Sequence, residues 1–250
     1  MDPLGAVPEG GYRYLEGVLP YSAGVAALPG FEVERVRLGS LAPLEDGFRR
    51  IREHLESLGR PRSALCACEL RSPKPFTEEG FRQFNEGYIS TLREWGLVQG
   101  GRNPVARSNV CPQVDPPPVP SLFAFSYTVP AGPAGGPSFV IAGSGEVPEG
   151  RSNYRDHIVR RGDLSREALR DKARWVLAEQ ERRLAALGVS WREVTACQLY
   201  TVHGLAAEMA LELARRGAMG GGATWHFARP PVMEIEFEMD ARGVFRERIL

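Results

Sequence analysis

The sequence has few of the residues that would support disulfide or metal chemistry. Its 250 residues include only four cysteines, at irregular spacings, and four scattered histidines. A disulfide framework needs more cysteines in a regular pattern, so reduced thiols are expected. The histidines form neither an HExxH nor an HxH pattern, and Cys66 and Cys68 have no second pair of ligands at metal-binding spacing. The sequence therefore predicts no metal site.

The sequence also lacks an excess of charge of one sign. Lysine plus arginine number 31, aspartate plus glutamate also number 31, and the formal net charge at pH 7 is zero. Proteins that bind nucleic acid usually carry a basic excess that replaces counterions on the phosphates. No nucleic-acid partner is therefore expected. The basic residues are almost all arginines, since Lys74 and Lys172 are the only lysines.

Long apolar runs are missing as well. No run reaches the ~18 residues of a membrane-spanning helix, so no membrane span is expected. Residues 1–10 contain neither the basic nor the apolar region of a signal peptide, which predicts a cytoplasmic protein. The hydrophobic share of 43% and the charged share of 25% are typical of a globular protein, with one large domain or two small ones.

An internal repeat runs through the sequence. Each half is predicted to contain an amphipathic helix, a glycine stop, a strand, a second helix and a strand-rich tail. In the first half these elements cover residues 43–58, Gly59, 63–70, 78–94 and 122–129. In the second half they cover residues 165–187, Gly188, 194–202, 205–216 and 232–239. This order predicts two copies of one α+β unit, residues 1–130 and 131–250, with a linker rich in proline and glycine at residues 130–137.

Short motifs carry candidate site residues in both halves. In the first half they are Pro20-Tyr21-Ser22, Phe84-Asn85-Glu86-Gly87-Tyr88 and Ala106-Arg107-Ser108. In the second half they are Gly143-Ser144-Gly145-Glu146-Val147-Pro148 and Glu234-Ile235-Glu236-Phe237-Glu238. The string Trp225-His226-Phe227-Ala228-Arg229 is typical of an aromatic edge strand, ended here by two prolines.

The order and spacing of these motifs resemble the RidA (YjgF) family. The resemblance implies an α+β fold of two tandem RidA-like units, each a mixed β-sheet backed by two helices in a chorismate-mutase-like arrangement. It also implies a homo-oligomer, a trimer with clefts between subunits, and no cofactor. Members of the family hydrolyse reactive enamines and imines of small carboxylic acids to keto acids and ammonia, and relatives include aminomuconate deaminases. A small metabolite that bears a carboxylate is therefore the expected partner.

The resemblance also assigns roles to individual residues. Arg107 would anchor the substrate carboxylate, since a planar guanidinium offers it two parallel charge-assisted hydrogen bonds. By register Glu236 would hold and activate water, and a carboxylate in a partly dry cleft has a raised pKa. The second half lacks the anchor arginine, which Arg229 could replace. The predicted substrate-binding residues are Tyr21, Asn85, Ser144, Gly145 and Arg229.

Each assignment has a structural alternative. Arg107 is one arginine of many, Tyr21 is consistent with a packed aromatic residue, and alternating glutamates are typical of the polar face of a half-buried strand. The first half keeps the arginine and the second half keeps the acid, so we expect a composite cleft between an N-terminal and a C-terminal unit. Two other functions stay open: a chorismate-hydrolase-like enzyme and a non-catalytic protein that binds small acids.

Overall fold

A computed structural model describes residues 4–132 and 136–250, which form two mixed β-sheets and four helices. The helices are α1 (Leu44–Ser57), α2 (Glu78–Glu94), α3 (Arg166–Ala186) and α4 (Ala206–Arg215). The first strands are β1 (Leu4–Val7), β2 (Tyr12–Leu15), β3 (Gly24–Ala27), β4 (Phe31–Pro43), β5 (Leu65–Arg71), β6 (Ala106–Pro112) and β7 (Ser121–Pro130). The later strands are β8 (Phe139–Gly145), β9 (Ala196–Tyr200), β10 (Ala223–His226), β11 (Ala228–Arg229), β12 (Glu238–Gly243) and β13 (Arg246–Ile249). None of the helices in this described part is both long and apolar enough to cross a bilayer.

Local sequence signals explain most of these elements. All four predicted helices are present, and three of the predicted strands correspond to β5, β7 and β9. Ser165 caps α3, because its Oγ accepts the backbone N–H of Ala168 at 3.3 Å. The predicted stops Gly59 and Gly188 adopt φ angles of +63° and +72°. Glycine enters this left-handed region without the strain of a side chain, so both helices end where the sequence indicates.

The two sheets exchange strands between the halves of the chain. Sheet A has the order β1-β2-β3-β8-β12-β9-β10, and sheet B has the order β11-β6-β5-β7-β4-β13. Strands β1 to β3 of the first half therefore complete sheet A, while β11 and β13 of the second half complete sheet B. Trp225 and His226 lie on the edge strand β10, as the sequence predicts. Residues 133–135 of the predicted linker lie outside the described residues.

The sheets pack face to face, and two helices cover the outer face of each. On the outer face of sheet B, Ile51 of α1 packs in one apolar cluster with Phe125 of β7. On the outer face of sheet A, Val176 of α3 packs in another with Phe237. A third cluster, which includes Tyr12, lies between the sheets. Burial of each large apolar side chain contributes about 1.5–3 kcal/mol, so the first two clusters hold the helices on the sheets and the third holds the sheets together.

The predicted strand over residues 232–239 is wrong, because β12 begins only at Glu238. The carboxylate of Glu146 accepts the backbone N–H groups of Glu236 and Phe237, at 2.7 and 2.9 Å. Those two donors are therefore not available to a neighbouring strand. The alternating pattern of charged and apolar residues thus covers a loop followed by a strand.

Candidate active site

A narrow cleft opens where β6 of sheet B meets β8 of sheet A. Side chains from β6, β8 and β12 line it, together with the loops that follow β8 and precede β12. The space between its walls, together with the open solvent at its mouth, is about 470 Å³. Its charged and amide lining residues are Arg107, Asn109, Glu149 and Glu238. Both halves of the chain therefore contribute to one cleft.

Arg107 supplies the cleft with an unpaired positive charge. It lies on β6 with only 3% of its surface exposed. The Cζ atom lies 4.7 and 4.8 Å from the ring centres of Tyr21 and Tyr88, and 5.5 and 5.6 Å from those of Phe84 and Phe81. Within residues 4–132 and 136–250 Arg107 forms no ion pair, and its Nη1 is buried without a hydrogen-bond partner. Cation–π contacts hold the guanidinium in place and leave its donors for a ligand.

Asn109 places a second unpaired donor in the same cleft. It lies two residues after Arg107 on β6 and therefore on the same face of the strand. Its Oδ1 accepts the hydroxyl of Ser72 at 2.9 Å, and its Nδ2 is buried with no partner among the described residues. A buried donor without a partner costs about 1–3 kcal/mol. One anionic acceptor between Arg107 and Asn109 would satisfy both side chains.

Glu238, the first residue of β12, brings a carboxyl group into the cleft. Its carboxyl lies against Gly143 of β8, where a side chain would overlap it. Burial raises the pKa of Glu238 to about 8, the negative charge of Asp240 adds to the rise, and the positive charge of Arg107 opposes it. At neutral pH most molecules therefore carry Glu238 as a neutral acid, which can donate a proton.

An irregularity in β8 shapes this part of the cleft. The register between β8 and β12 shifts by one residue, so that Ala142 and Gly143 together face Asp240. The carbonyl of Ala142 accepts hydrogen bonds from two side chains of α3, Gln180 Nε2 at 3.0 Å and Arg183 Nη1 at 3.2 Å. Bulges of this kind redirect side chains beside active sites. Here the helix α3 fixes the backbone against which the cleft carboxyl rests.

The other charged group of the cleft, Glu149, is already neutralised. Its Oε1 lies 3.1 Å from Nη2 of Arg183, a fully buried arginine that also contacts Glu179 at 2.8 Å. Burial and the nearby charge of Glu149 raise the pKa of Tyr21 well above its ordinary value. Tyr21 therefore stays a neutral hydroxyl, and the charge of Arg107 is left uncompensated.

The loop of residues 231–237 forms one wall of the cleft and is fixed by buried charges. Glu146, which binds the N–H groups of this loop, is fully buried and lies 3.2 Å from the Nζ of Lys172. Lys172 also donates to the carbonyl of Val159 at 2.6 Å. Burial raises the pKa of Glu146, while the backbone N–H donors and the Lys172 charge oppose this rise. Glu146, from the motif at residues 143–148, thus holds the cleft wall.

Four of the predicted site residues meet in this cleft. Tyr21 and Arg107 come from the first half of the chain, and Ser144 and Gly145 come from the second. A Cβ atom at Gly145 would lie 2.7 Å from Ile235 of the loop wall, so a larger residue would displace that wall. Residues of both halves of the chain therefore line this cleft.

The other three predicted residues lie in neighbouring grooves. Glu236 contacts Nε2 of His203 at 2.8 Å and Nη1 of Arg229 at 3.4 Å. Glu236 and Arg229 face a mostly apolar groove on the other side of the loop wall. Asn85 of α2 lines a third groove, and its Oδ1 is buried with no partner among the described residues. Arg107 and Glu236 therefore do not share a cavity.

Two functional candidates, Asn109 and Glu238, were missed by the sequence reasoning. Asn109 shares a strand face with Arg107, and a period of two along the strand was the signal that could have found it. Glu238 was passed over because the register of the family motif pointed to Glu236. In the structure Glu238, two residues further along the chain, lines the cleft with Arg107.

This arrangement suits a small planar acid. Arg107 and Asn109 offer donors to a carboxylate, and Glu238 offers a proton at neutral pH. The rings of Phe81 and Tyr154, with centres 6.3 Å apart, provide an apolar wall for a conjugated chain. Across residues 4–132 and 136–250 no cluster of three or more His, Cys, Asp and Glu side chains is placed to hold a metal ion.

Comparison with known proteins identifies the class of this chain. A family model described as 2-aminomuconate deaminase CnbZ matches residues 4–248, so the chain belongs to this deaminase family. The resemblance to a RidA-like family with aminomuconate deaminases among its relatives is thereby confirmed. A particular relative, the 2-amino-5-chloromuconate deaminase of Comamonas testosteroni, is 50% identical over 242 residues that cover 96% of each chain. Both matches support an enzyme that acts on a C–N bond.

The solved structures that match this chain are less similar to it in sequence. A chorismatase is 13% identical, with a TM-score of 0.49, and the match covers 92% of this chain and 79% of that chain. The YjgF gene product from E. coli is 14% identical, with a TM-score of 0.32, and the match covers 47% of this chain and 88% of that chain.

Proposed function

We propose that this protein hydrolyses 2-aminomuconate, or a substituted 2-aminomuconate, to the corresponding keto acid and ammonia. Membership of the 2-aminomuconate deaminase family supports the proposal, as does a relative named for 2-amino-5-chloromuconate. The observation that carries it is that one cleft is lined by Arg107, which has no counter-ion in the described chain, and by Glu238, whose pKa burial raises to about 8. An anionic substrate and a proton donor are thus brought together.

Substrate binding follows from the unpaired donors. One carboxylate of the diacid accepts hydrogen bonds from Nη1 of Arg107 and Nδ2 of Asn109, two buried donors of the cleft that lack partners among the described residues. Hydrogen bonds to a charged group contribute about 1.5–3 kcal/mol each. The conjugated carbon chain then packs along Phe81 and Tyr154, and the amino group points toward Glu238. This orientation places the reacting carbon beside the proton donor.

The chemistry needs one proton donor and one water molecule. Glu238 gives its proton to a carbon of the enamine, which converts the C–NH2 group to an iminium ion. A water oxygen then bonds to the iminium carbon while the Glu238 carboxylate takes a proton from that water. In the resulting carbinolamine the hydroxyl proton moves to nitrogen, the C–N bond breaks, and ammonia leaves as the C=O group forms. Glu238 is again neutral, and the net reaction consumes one water.

The proposal includes the architecture that the resemblance implies. We propose two tandem RidA-like units, residues 1–130 and 131–250, in a trimer that works in the cytoplasm. The repeated order of helix, glycine, strand and helix in α1, β5, α2 and in α3, β9, α4 supports the duplication. Glu236, Arg229 and Asn85 stay predicted site residues in the neighbouring grooves, with Tyr21, Ser144 and Gly145 as substrate-binding residues in the cleft.

Ammonia release from 2-aminomuconate tests the proposal. The purified protein is incubated with 2-aminomuconate, with 2-aminoacrylate and with chorismate, while ammonia and the ultraviolet spectrum are followed. Arg107→Ala is expected to lower kcat/KM for 2-aminomuconate at least about 100-fold, because the carboxylate anchor is lost. Arg93→Ala, an exposed arginine of α2, is the matched control and keeps full activity. Diacid binding without ammonia release, or turnover of chorismate alone, would overturn the proposal.

A further inference from the structure

Asp240 is a second buried carboxyl group on the strand that carries Glu238. Residues two apart on a strand share a face, and their Cα atoms lie about 7 Å apart, so both side chains project between the sheets. Only 3% of the Asp240 surface is exposed. Asp240 takes no part in the proposed reaction. Because burial of an acid is unfavourable, its presence beside Glu238 calls for an explanation.

Three donors bind the carboxylate of Asp240. Its Oδ2 accepts the hydroxyl of Ser108 at 2.6 Å and the hydroxyl of Tyr200 at 2.8 Å. Its Oδ1 accepts Nε2 of Gln198 at 3.0 Å. An ionised carboxylate is an acceptor only, so three donors favour the charged form of Asp240. The carboxyl of Glu238, by contrast, has no hydrogen-bond donor among residues 4–132 and 136–250.

Several charged groups face this pair of acids from the packed strands. They are Arg107 on β6, Arg71 and Glu69 on β5, Glu146 after β8, and Arg242 on β12, with the buried thiols Cys111 and Cys197 beside them. Glu69 is itself bound to Arg35, whose Nη2 lies 2.8 Å from Oε2. The two carboxyl groups therefore have different surroundings. Hydrogen-bond donors contact Asp240, whereas Glu238 lines the cleft.

We propose that Asp240 is a positioning residue that acts through Glu238, holding a fixed negative charge beside it so that the cleft carboxyl stays protonated until substrate binds. This inference rests on the proposed function, because a protonated Glu238 matters as the proton donor of the reaction. Two close carboxyls lose their protons in separate steps, and the one with more donors ionises first.

The pKa values of both acids are raised, but by different neighbours. Burial is the largest cause of the raised pKa of Glu238, and the charge of Asp240 is the next. Arg107 and Arg71 oppose the rise, and Glu146 adds to it. The pKa of Asp240 is also raised, by burial and by the charge of Glu69, and here Arg242, Ser108 and Gln198 oppose the rise.

Infrared spectroscopy of the carboxyl groups tests the inference without relying on activity. The carbonyl band of a protonated carboxyl is followed against pH in the full-length protein, and the band lost in Glu238→Gln is assigned to Glu238. In the unsubstituted protein this band is expected to disappear with a midpoint near pH 8. In Asp240→Asn the midpoint is expected to fall by about one pH unit or more, because the neighbouring negative charge is gone.

Matched variants separate charge from shape. The amide that Asp240→Asn introduces places a donor against the three donors that bind Asp240. Asp240→Ser is therefore a second neutral variant, and it is also expected to lower the pH midpoint of the Glu238 band. Asp240→Glu keeps the charge and is expected to keep the midpoint near pH 8. Asp46→Asn, at an exposed position in the first turn of α1, is the remote control. The alkaline limb of kcat/KM for 2-aminomuconate, which reports the free enzyme, should move together with the infrared midpoint.

The outcomes distinguish this inference from the proposed reaction. A Glu238 midpoint that is the same with and without the Asp240 charge overturns the inference, whatever substrate the enzyme uses. A lowered midpoint in the neutral variants, with no ammonia released from 2-aminomuconate by the unsubstituted protein, supports the charge effect and overturns the reaction alone. A purely structural role of Asp240 would lower activity in all three variants and leave the midpoint in place.

Discussion

Gly143 of β8 lies directly behind the carboxyl group of Glu238, and a methyl group at position 143 would occupy the space of its Oε1 atom. Gly143→Ala is therefore expected to displace the carboxyl and to lower kcat/KM about 100-fold, since a shift of about 1 Å in a reacting group has that effect. Gly87→Ala, on α2 with no atom within 4 Å of the added carbon, is the control and is expected to keep full activity. Equal activities of the two variants would show that Glu238 is not held by this contact.

Glu238 and Glu236 differ in their neighbours and should differ in their contribution to catalysis. Glu238→Gln is expected to lower kcat by about 100-fold to 10,000-fold, the usual effect of removing a general acid. Glu236→Gln removes a side chain that pairs with His203 and Arg229 outside the cleft, and is expected to change kcat by no more than about threefold. Steady-state kinetics on 2-aminomuconate decide between them, and a larger loss in the Glu236 variant would favour the assignment made from the sequence.

The raised pKa of Glu238 gives folding stability a definite dependence on pH. Its folded-state pKa of about 8 lies above its ordinary value of 4.5, so the folded protein holds this proton more tightly than the unfolded chain. The contribution of Glu238 to stability is therefore fully present below about pH 4.5 and is lost as pH rises through about 8. Glu238→Gln removes this loss. Between about pH 5 and pH 8 its free energy of unfolding is expected to rise by on the order of 3 kcal/mol relative to that of the unsubstituted protein.

Urea unfolding across this pH range measures the difference. The exposed Glu9→Gln variant is the control, and its stability is expected to change in parallel with that of the unsubstituted protein. Parallel curves for Glu238→Gln and Glu9→Gln would contradict a raised pKa at position 238.

The buried pair of Glu146 and Lys172 should matter for stability as well as for the cleft wall. Glu146→Gln leaves the ammonium of Lys172 buried without its charged partner. This change is expected to lower the free energy of unfolding by about 3–5 kcal/mol. The double variant Glu146→Gln with Lys172→Met removes both charges and is expected to recover part of that loss. Thermal unfolding measures both effects, and equal stabilities of the single and double variants would show that the pair is not coupled.

Local signals account for the parts of the fold that the sequence reasoning predicted. The helices follow from apolar spacing and from stops such as Gly188, which need only neighbouring residues. Arg107 was predicted because a short motif surrounds it. The exchange of edge strands could not be predicted in this way, since β13 pairs with β4 through backbone groups that carry no sequence signature.

The site depended on contacts between distant residues. Glu146 sets the start of β12 by binding the N–H of Glu236, a residue far along the chain, and no local pattern reveals that bond. The free donor of Asn109 likewise exists because Ser72 fixes the other end of the amide. The sequence reasoning therefore named Arg107 in the cleft but not Asn109 or Glu238, which also line it.

The exchanged edge strands join each half of the chain to the sheet that the other half mostly builds. Strand β3 pairs with β8, the strand that carries Gly143, and β13 pairs with β4 at the far edge of the other sheet. Removal of residues from either end of the chain would delete an edge strand of a sheet that the opposite half mostly builds. Neither half of the chain therefore completes a sheet without strands from the other, so we expect neither half to fold when it is expressed alone.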